Sequence, residues 1–168
     1  EPTDFSREAV DIEIRHGEGQ WPGVFVEGLA EENFMPVCAP SYAAAGTLEL
    51  AELPHRRLIF SVKAHLQWSQ WFASLGVETS LKGERLLLDR SHMAIDAAVD
   101  GLGIALESNL MMWRELREGT LVCPISKPPA ITLTTQWLVC PYDHLRKAKV
   151  QLFLDWLRQE RATWQGAV

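Results

Sequence analysis

The sequence predicts an α/β protein of two lobes joined by two crossover strands, and three observations support this fold class. Strand and helix patterns alternate from residue 56 to residue 125, which is typical of a parallel sheet covered by helices on both faces. The segments before and after that stretch supply strands and one long helix without completing a unit. Hydrophobic residues make up 47% of the 168 residues, enough for a packed core.

The N-terminal third is mostly extended. Val10, Ile12 and Ile14 alternate with charged residues, which predicts a half-buried strand over 10–19 with those three side chains facing inward. An extended pair or one long kinked strand follows at 24–40. Ser41 and Gly46 bound a predicted short helix over 41–46.

Hydrophobic periodicity then assigns each element of the alternating region and the C-terminal end. The predicted strands lie at 56–61, 85–89, 103–107, 121–125 and 132–141. The predicted helices lie at 66–76, 91–101, 109–119 and 147–164. Gly101 and Gly103 read as a helix stop and a turn into a strand. We expect residues 1–38 and 124–168 to form lobe I and residues 39–123 to form lobe II, with the 85–89 strand at an edge of lobe II.

Composition excludes several classes of protein. The net charge of −6 and the lack of a basic run argue against direct binding of nucleic acid by these residues. No apolar stretch approaches the roughly 20 residues of a membrane helix. Three cysteines without CxxC spacing predict reduced, buried thiols rather than disulfides or a zinc site. No GxSxG, HExxH or P-loop motif is present, so we expect no enzymatic activity, no metal and no cofactor.

Donor side chains cluster in the loops that follow predicted strands. In an open parallel sheet, ligands bind beyond the carboxyl ends of the strands, where helix N-termini favour anions. The predicted ligand-binding residues in these loops are Arg15, His16, Ser61, His65, Ser91 and His92. Each has a simpler interpretation. Ser91 suits a helix N-cap, Arg15 suits an ion pair, and the histidines suit solvated loops.

Four stretches carry a resemblance to a known family: "VDIEIRHGEGQWPG", "LAEENFMPVCAPSY", "LQWSQWF" and "DRSHMAIDAAVDGLGIAL". They resemble the effector-binding domain of LysR-type transcriptional regulators, in the subgroup of the glycine-cleavage activator and the β-lactamase regulators. The resemblance runs from about residue 4 to residue 160. It implies a type 2 periplasmic-binding-protein-like fold whose first lobe here lacks its N-terminal strand-helix-strand.

The resemblance also implies a function. A cytoplasmic regulator of this family binds a polar or anionic small-molecule inducer between its lobes, pairs head to tail into homodimers or homotetramers, and reads DNA through a winged helix-turn-helix that these 168 residues lack. No membrane contact is expected. Two alternatives share the fold: an exported solute-binding protein, and an enzyme with an acid–base pair in the cleft, for which only Asp89 and His92 are available.

Overall fold

The computed structural model describes residues 3–77, 81–129 and 131–165, with backbone alone for residues 164 and 165. The chain divides into two compact units. Unit 1 comprises residues 1–31 and 134–168, and unit 2 comprises residues 32–133. Ile12 and Trp137 both belong to unit 1. The divisions fall at 31/32 and 133/134, not at the expected 38/39 and 123/124, because the strands that enter and leave the central segment pair within the sheet of unit 2.

Unit 1 holds a three-stranded antiparallel sheet and one long helix. The strands are β1 (Glu13–His16), β2 (Phe25–Gly28) and β8 (Gln136–Cys140), with β8 in the centre. A 3-10 helix at Tyr142–Arg146 leads into α4 (Ala148–Gln165). The buried residues Leu138, Cys140, Val150 and Leu154 form its core. The long helix therefore covers the sheet with the face that its 3.6-residue periodicity predicted.

The predicted inward face of the first strand is partly wrong. Ile12 packs against the core of unit 1, but Ile14 is 51% exposed. The Arg15 side chain is instead sheltered, because its guanidinium lies 5.1 Å from the ring centre of Trp21 and pairs with Glu13. An ion pair stacked on an aromatic ring thus occupies the side of β1 that the hydrophobic alternation had assigned to solvent.

Unit 2 is built on a five-stranded mixed sheet with the strand order β5-β4-β6-β3-β7. Its strands are β3 (Glu32–Val37), β4 (Leu58–Ser61), β5 (Arg85–Leu88), β6 (Ile104–Ser108) and β7 (Ile131–Leu133). Strands β4, β5 and β6 run parallel, whereas β3 is antiparallel to both β6 and β7. The position of β5 at the edge confirms the expectation for the 85–89 strand.

Helices cover both faces of this sheet, as the alternation predicted. Helix α1 (Trp68–Ser74) packs with Leu58, Ile104 and Leu106 on one face. Helix α2 (Ser91–Val99) packs with Ile59 and Ala105 on the other, beside α3 (Trp113–Glu118). Successive strand residues point to opposite faces. Residues 59, 61, 105 and 107 therefore share the α2 face.

Three predicted elements are wrong. Residues 41–46 form turns, not a helix, and the nearest helical segment is a 3-10 helix at Leu50–His55. The 121–125 strand is reduced to two isolated bridges, Cys38 to Val122 and Leu48 to Ile125. The long 132–141 strand is two strands, β7 and β8, because the chain passes from the sheet of unit 2 to the sheet of unit 1 at residues 133/134.

Candidate ligand site

Strands β4, β5 and β6 end at one edge of the unit 2 sheet, and polar residues gather there. Ser61 is the last residue of β4 and is only 5% exposed. The loop after β5 leads directly into Ser91 at the start of α2. Since parallel strands deliver their carboxyl ends to the same edge, these two serines come together: their hydroxyl oxygens lie 3.5 Å apart.

Ser91 is not the N-cap of α2. Arg90 occupies the cap position with extended backbone angles of −130° and 153°, and Ser91 is the first helical residue. No side chain caps the helix by a hydrogen bond. The capping interpretation of Ser91 is therefore wrong, and its hydroxyl contacts the Ser61 hydroxyl instead. The first turn of α2 keeps the unpaired N–H groups that every helix start presents.

The principal residue that sequence reasoning missed is Glu107, in strand β6. Its side chain is only 2% exposed and lies on the face of the sheet that α2 covers. Its Oε1 atom is buried without a hydrogen-bond partner. Burial raises the pKa of Glu107 to about 7; the Ser91 hydrogen bond opposes this rise, and the charge of Glu32 adds to it. A glutamate inside the apolar run "GIALES" was the available clue.

The loop between β4 and α1 is held by an amide side chain. Gln67 donates hydrogen bonds from Nε2 to the carbonyl oxygens of Ser61 and Ala64, each at 2.9 Å. His65 lies half-buried in this loop and has a partner of its own. Trp68 is 1% exposed and donates from Nε1 to the Ile59 carbonyl at 2.9 Å. Trp68 is therefore a core residue of unit 2.

The outer rim of this edge is a charged surface network. Lys63 and Arg90 both pair with Asp89, at 3.1 and 3.0 Å. The hydrogen bond from Lys63 is the largest cause that lowers the pKa of Asp89. His92 is exposed on α2. An acid–base pair of Asp89 and His92 would thus consist of a carboxylate already engaged by two cations and a solvent-facing imidazole.

The remaining two predicted ligand-binding residues lie in unit 1. Arg15 donates to Glu13 from Nη2 at 2.7 Å and from Nε at 3.2 Å, so the ion-pair interpretation describes it. His16 ends β1, is exposed and has a partner of its own. The structure therefore places Ser61, His65, Ser91 and His92 in unit 2, and brings Ser61 and Ser91 into contact.

Among the described residues, no group of three or more His, Cys, Asp or Glu side chains is placed to hold a metal ion. The three cysteines are free thiols, two of them buried, and burial raises the pKa of Cys38 to about 11. No helix in the described part of the chain is long and apolar enough to cross a membrane.

The family described as the LysR substrate binding domain matches residues 3–162. The chain belongs to this family. Its solved relatives include the effector domain of the transcriptional regulator AmpR of Pseudomonas aeruginosa, with a TM-score of 0.74 and 26% identity, covering 96% of this chain and 76% of that one. The type 2 periplasmic-binding-protein-like fold predicted for a LysR effector-binding domain is therefore confirmed.

Curated relatives of this LysR substrate binding domain are transcriptional regulators by name. The glycine cleavage system transcriptional activator of Escherichia coli K12 is 29% identical over 157 residues, which is 93% of this chain and 51% of the relative. The regulator PerR of the same strain is 34% identical over 158 residues, 93% of this chain and 52% of the relative. The chain spans about half the length of these relatives.

Proposed function

We propose that this LysR substrate binding domain senses a polar or anionic small molecule at the carboxyl edge of the unit 2 sheet. The observation that carries the proposal is the contact between the Ser61 and Ser91 hydroxyls at the start of α2. Neither hydroxyl is used to cap the helix, and the first turn of α2 presents free N–H groups and a partial positive charge to an anion. His65 and His92, and Arg15 and His16 in unit 1, are proposed to contribute further contacts.

The whole protein is proposed to be a cytoplasmic transcriptional regulator. Its inducer would act through this domain, and a winged helix-turn-helix outside the 168 residues would contact DNA. The acidic net charge of −6 supports the assignment of DNA binding to another part of the protein, because positively charged surfaces bind a phosphate backbone. The relatives that share the family carry regulator names, which favours this function over transport or catalysis.

The proposed site is tested by removing one hydroxyl. The chain is screened by thermal shift against small carboxylates and amino acids, and hits are titrated by calorimetry against wild type and Ser91→Ala. A hydrogen bond to a charged group contributes about 1.5–3 kcal/mol, so affinity should fall roughly 10- to 150-fold. Because Ser91 does not cap α2, its removal leaves the helix start intact.

Ser69→Ala is the matched control. Ser69 is an exposed serine in the first turn of α1, and its loss should leave every affinity unchanged. A hit that binds Ser91→Ala as tightly as wild type would contradict the assignment of the ligand to this edge.

A further inference from the structure

Unit 1 contains a cavity that the proposed ligand site does not use. Its volume is about 370 Å³, near the lower end of the roughly 300–1,000 Å³ that small-molecule pockets occupy. The residues that line it all belong to unit 1: Gly28, Ala30, Glu31, Thr134 and Arg161. Three of these five side chains are polar or charged, so the cavity suits a small polar ligand.

The cavity lies where strand β2 ends. Gly28 is the last residue of β2, and its carbonyl accepts a hydrogen bond from Nη1 of Arg161 in α4 at 3.0 Å. Thr134, just before β8, approaches the same glycine closely, since a Cβ at position 28 would lie 3.1 Å from Thr134 Cγ2. The end of β2, the segment before β8 and helix α4 are therefore held around one cavity.

Arg161 brings a positive charge to this cavity. Its neighbour Glu27 is held by Arg158, which donates to both carboxyl oxygens at 2.6 and 3.1 Å. Arg161 Nη1 lies 3.9 Å from Glu27 Oε1, outside hydrogen-bond distance. Asp155 pairs with Arg158 at 3.3 Å. Among the described residues, no carboxylate hydrogen-bonds Arg161, and most of its five N–H groups stay available to a ligand.

Glu31 brings a negative charge to the same cavity. It is exposed, and within the described residues its side chain forms no hydrogen bond and no ion pair, with Arg161 or with any other cation. The Thr134 hydroxyl, which can donate and accept, is likewise without a partner in the described part of the chain. The cavity thus presents a cation, an anion and a hydroxyl that do not satisfy one another.

We propose that this cavity is a second ligand site, which binds a small zwitterion such as an amino acid through Arg161, Thr134 and Glu31. The ligand's carboxylate lies against the Arg161 guanidinium, whose planar fork matches carboxylate geometry, and against the Thr134 hydroxyl. Its ammonium group pairs with Glu31. A simple anion would leave Glu31 unpaired and a simple cation would leave Arg161 unpaired, whereas a zwitterion pairs both. The site does not depend on the function proposed above.

NMR titration of the ¹⁵N-labelled chain tests the site and its ligand class. The probes are L-alanine, β-alanine and 4-aminobutanoate, whose two charges lie progressively further apart. At least one of them should shift the backbone amides of Gly28, Ala30 and Thr134 in a saturable way. Acetate and ethylamine carry one charge each and should bind more weakly than that zwitterion.

Two variants separate the contributions of the two charges. Arg161→Gln removes the partner of the carboxylate, so the affinity for the zwitterion should fall roughly 10- to 150-fold. Glu31→Gln should weaken binding about 2- to 5-fold, because an exposed ion pair contributes less, and should reduce the preference for the zwitterion over acetate. Glu31 makes no side-chain contact of this kind among the described residues, so its variant tests the proposal even if Arg161→Gln unfolds unit 1.

Arg146→Gln and Glu18→Gln are the matched controls. Both residues are exposed in unit 1, lie outside the cavity and change the net charge by the same amounts, so they should leave the affinity unchanged. Equal losses in these controls, acetate binding as tight as that of every zwitterion, or no saturable shift with any zwitterion would overturn the proposal. Binding that Ser91→Ala weakens and Arg161→Gln does not would support the unit 2 site and overturn this one.

Discussion

Replacing Glu107 by glutamine should stabilise the chain at alkaline pH. Glu107 is buried, and its pKa is raised from 4.5 to about 7 in the folded protein. A group with a raised pKa binds its proton more tightly in the folded state. Its contribution to stability is therefore fully present below about pH 4.5, declines as pH rises, and is lost once pH passes 7. Glutamine does not titrate and is close in shape to the protonated acid.

The magnitude follows from the shift in pKa. One pKa unit corresponds to about 1.4 kcal/mol, so the full change in Glu107 is worth about 3 kcal/mol, most of it between pH 5 and pH 8. The free energy of unfolding of Glu107→Gln, minus that of wild type, should therefore grow by about 2–3 kcal/mol over this range. The pH-dependent contributions of the other acids to the free energy of unfolding cancel in this difference, because both proteins contain them.

Urea unfolding at pH 5 and pH 8 measures this difference, with tryptophan fluorescence as the readout. Trp68 and Trp71 are fully buried in unit 2 and report on its unfolding. Glu27→Gln provides the control. The hydrogen bond from Arg158 lowers the pKa of Glu27, so this carboxyl is ionised at both pH values and the free-energy difference of that variant should stay nearly constant between them. A Glu107→Gln difference that stays constant between pH 5 and pH 8 would refute the reasoning.

Two further predictions concern the core and the edge of unit 2. In urea unfolding, Trp68→Phe should destabilise the chain by about 1–3 kcal/mol more than Trp71→Phe. The reason is that Trp68 Nε1 donates to the Ile59 carbonyl, whereas the buried Nε1 of Trp71 has no partner. Equal losses of stability in the two variants would contradict this. Leu87 is 64% exposed on the edge strand β5, where two copies of the chain are expected to pair. Leu87→Glu should therefore shift the wild-type dimer to monomer in sedimentation velocity. A wild-type chain that is monomeric at high concentration would argue against pairing through this edge.

The alternating region shows what sequence patterns can predict. Each strand and helix from β4 to α3 lies where hydrophobic periodicity placed it; β6 is shifted by one residue, and the others have shorter bounds. Gly119 ends α3 with a φ of 72°, in the left-handed region that favours glycine, as expected for a helix stop. These elements were predictable because each buries a regular stripe of apolar residues against the same sheet.

The errors arise where tertiary contacts override local preference. The alanines of 41–46 favour a helix, yet that segment lies beside Cys123 and Ser126 and forms turns. Residues 132–141 look like one strand because their pattern is continuous. The boundary between units at 133/134 divides them, and nothing local marks this boundary except a pair of threonines. In both segments, contacts with residues distant in sequence determine the local structure.

The candidate site was half predictable for a related reason. A position after a parallel strand and at the start of a helix is a local property, and it identified Ser61 and Ser91. Glu107 lies within strand β6, and the burial of a charged side chain there depends on residues that are distant in sequence. Only the fold shows that it shares a face with Ser91, and that Glu32 acts on it from β3.

The energetic cost of Glu107 is itself an argument about its role. An apolar residue at this position of β6 would leave no oxygen unpaired and would continue the core of Ile59, Ala105 and α2. Replacement of a buried charge by a well-packed neutral group is often neutral or stabilising, so packing alone does not account for an acid here. The stability gained by Glu107→Gln at alkaline pH therefore measures the destabilisation that an ionised acid causes at this position of β6.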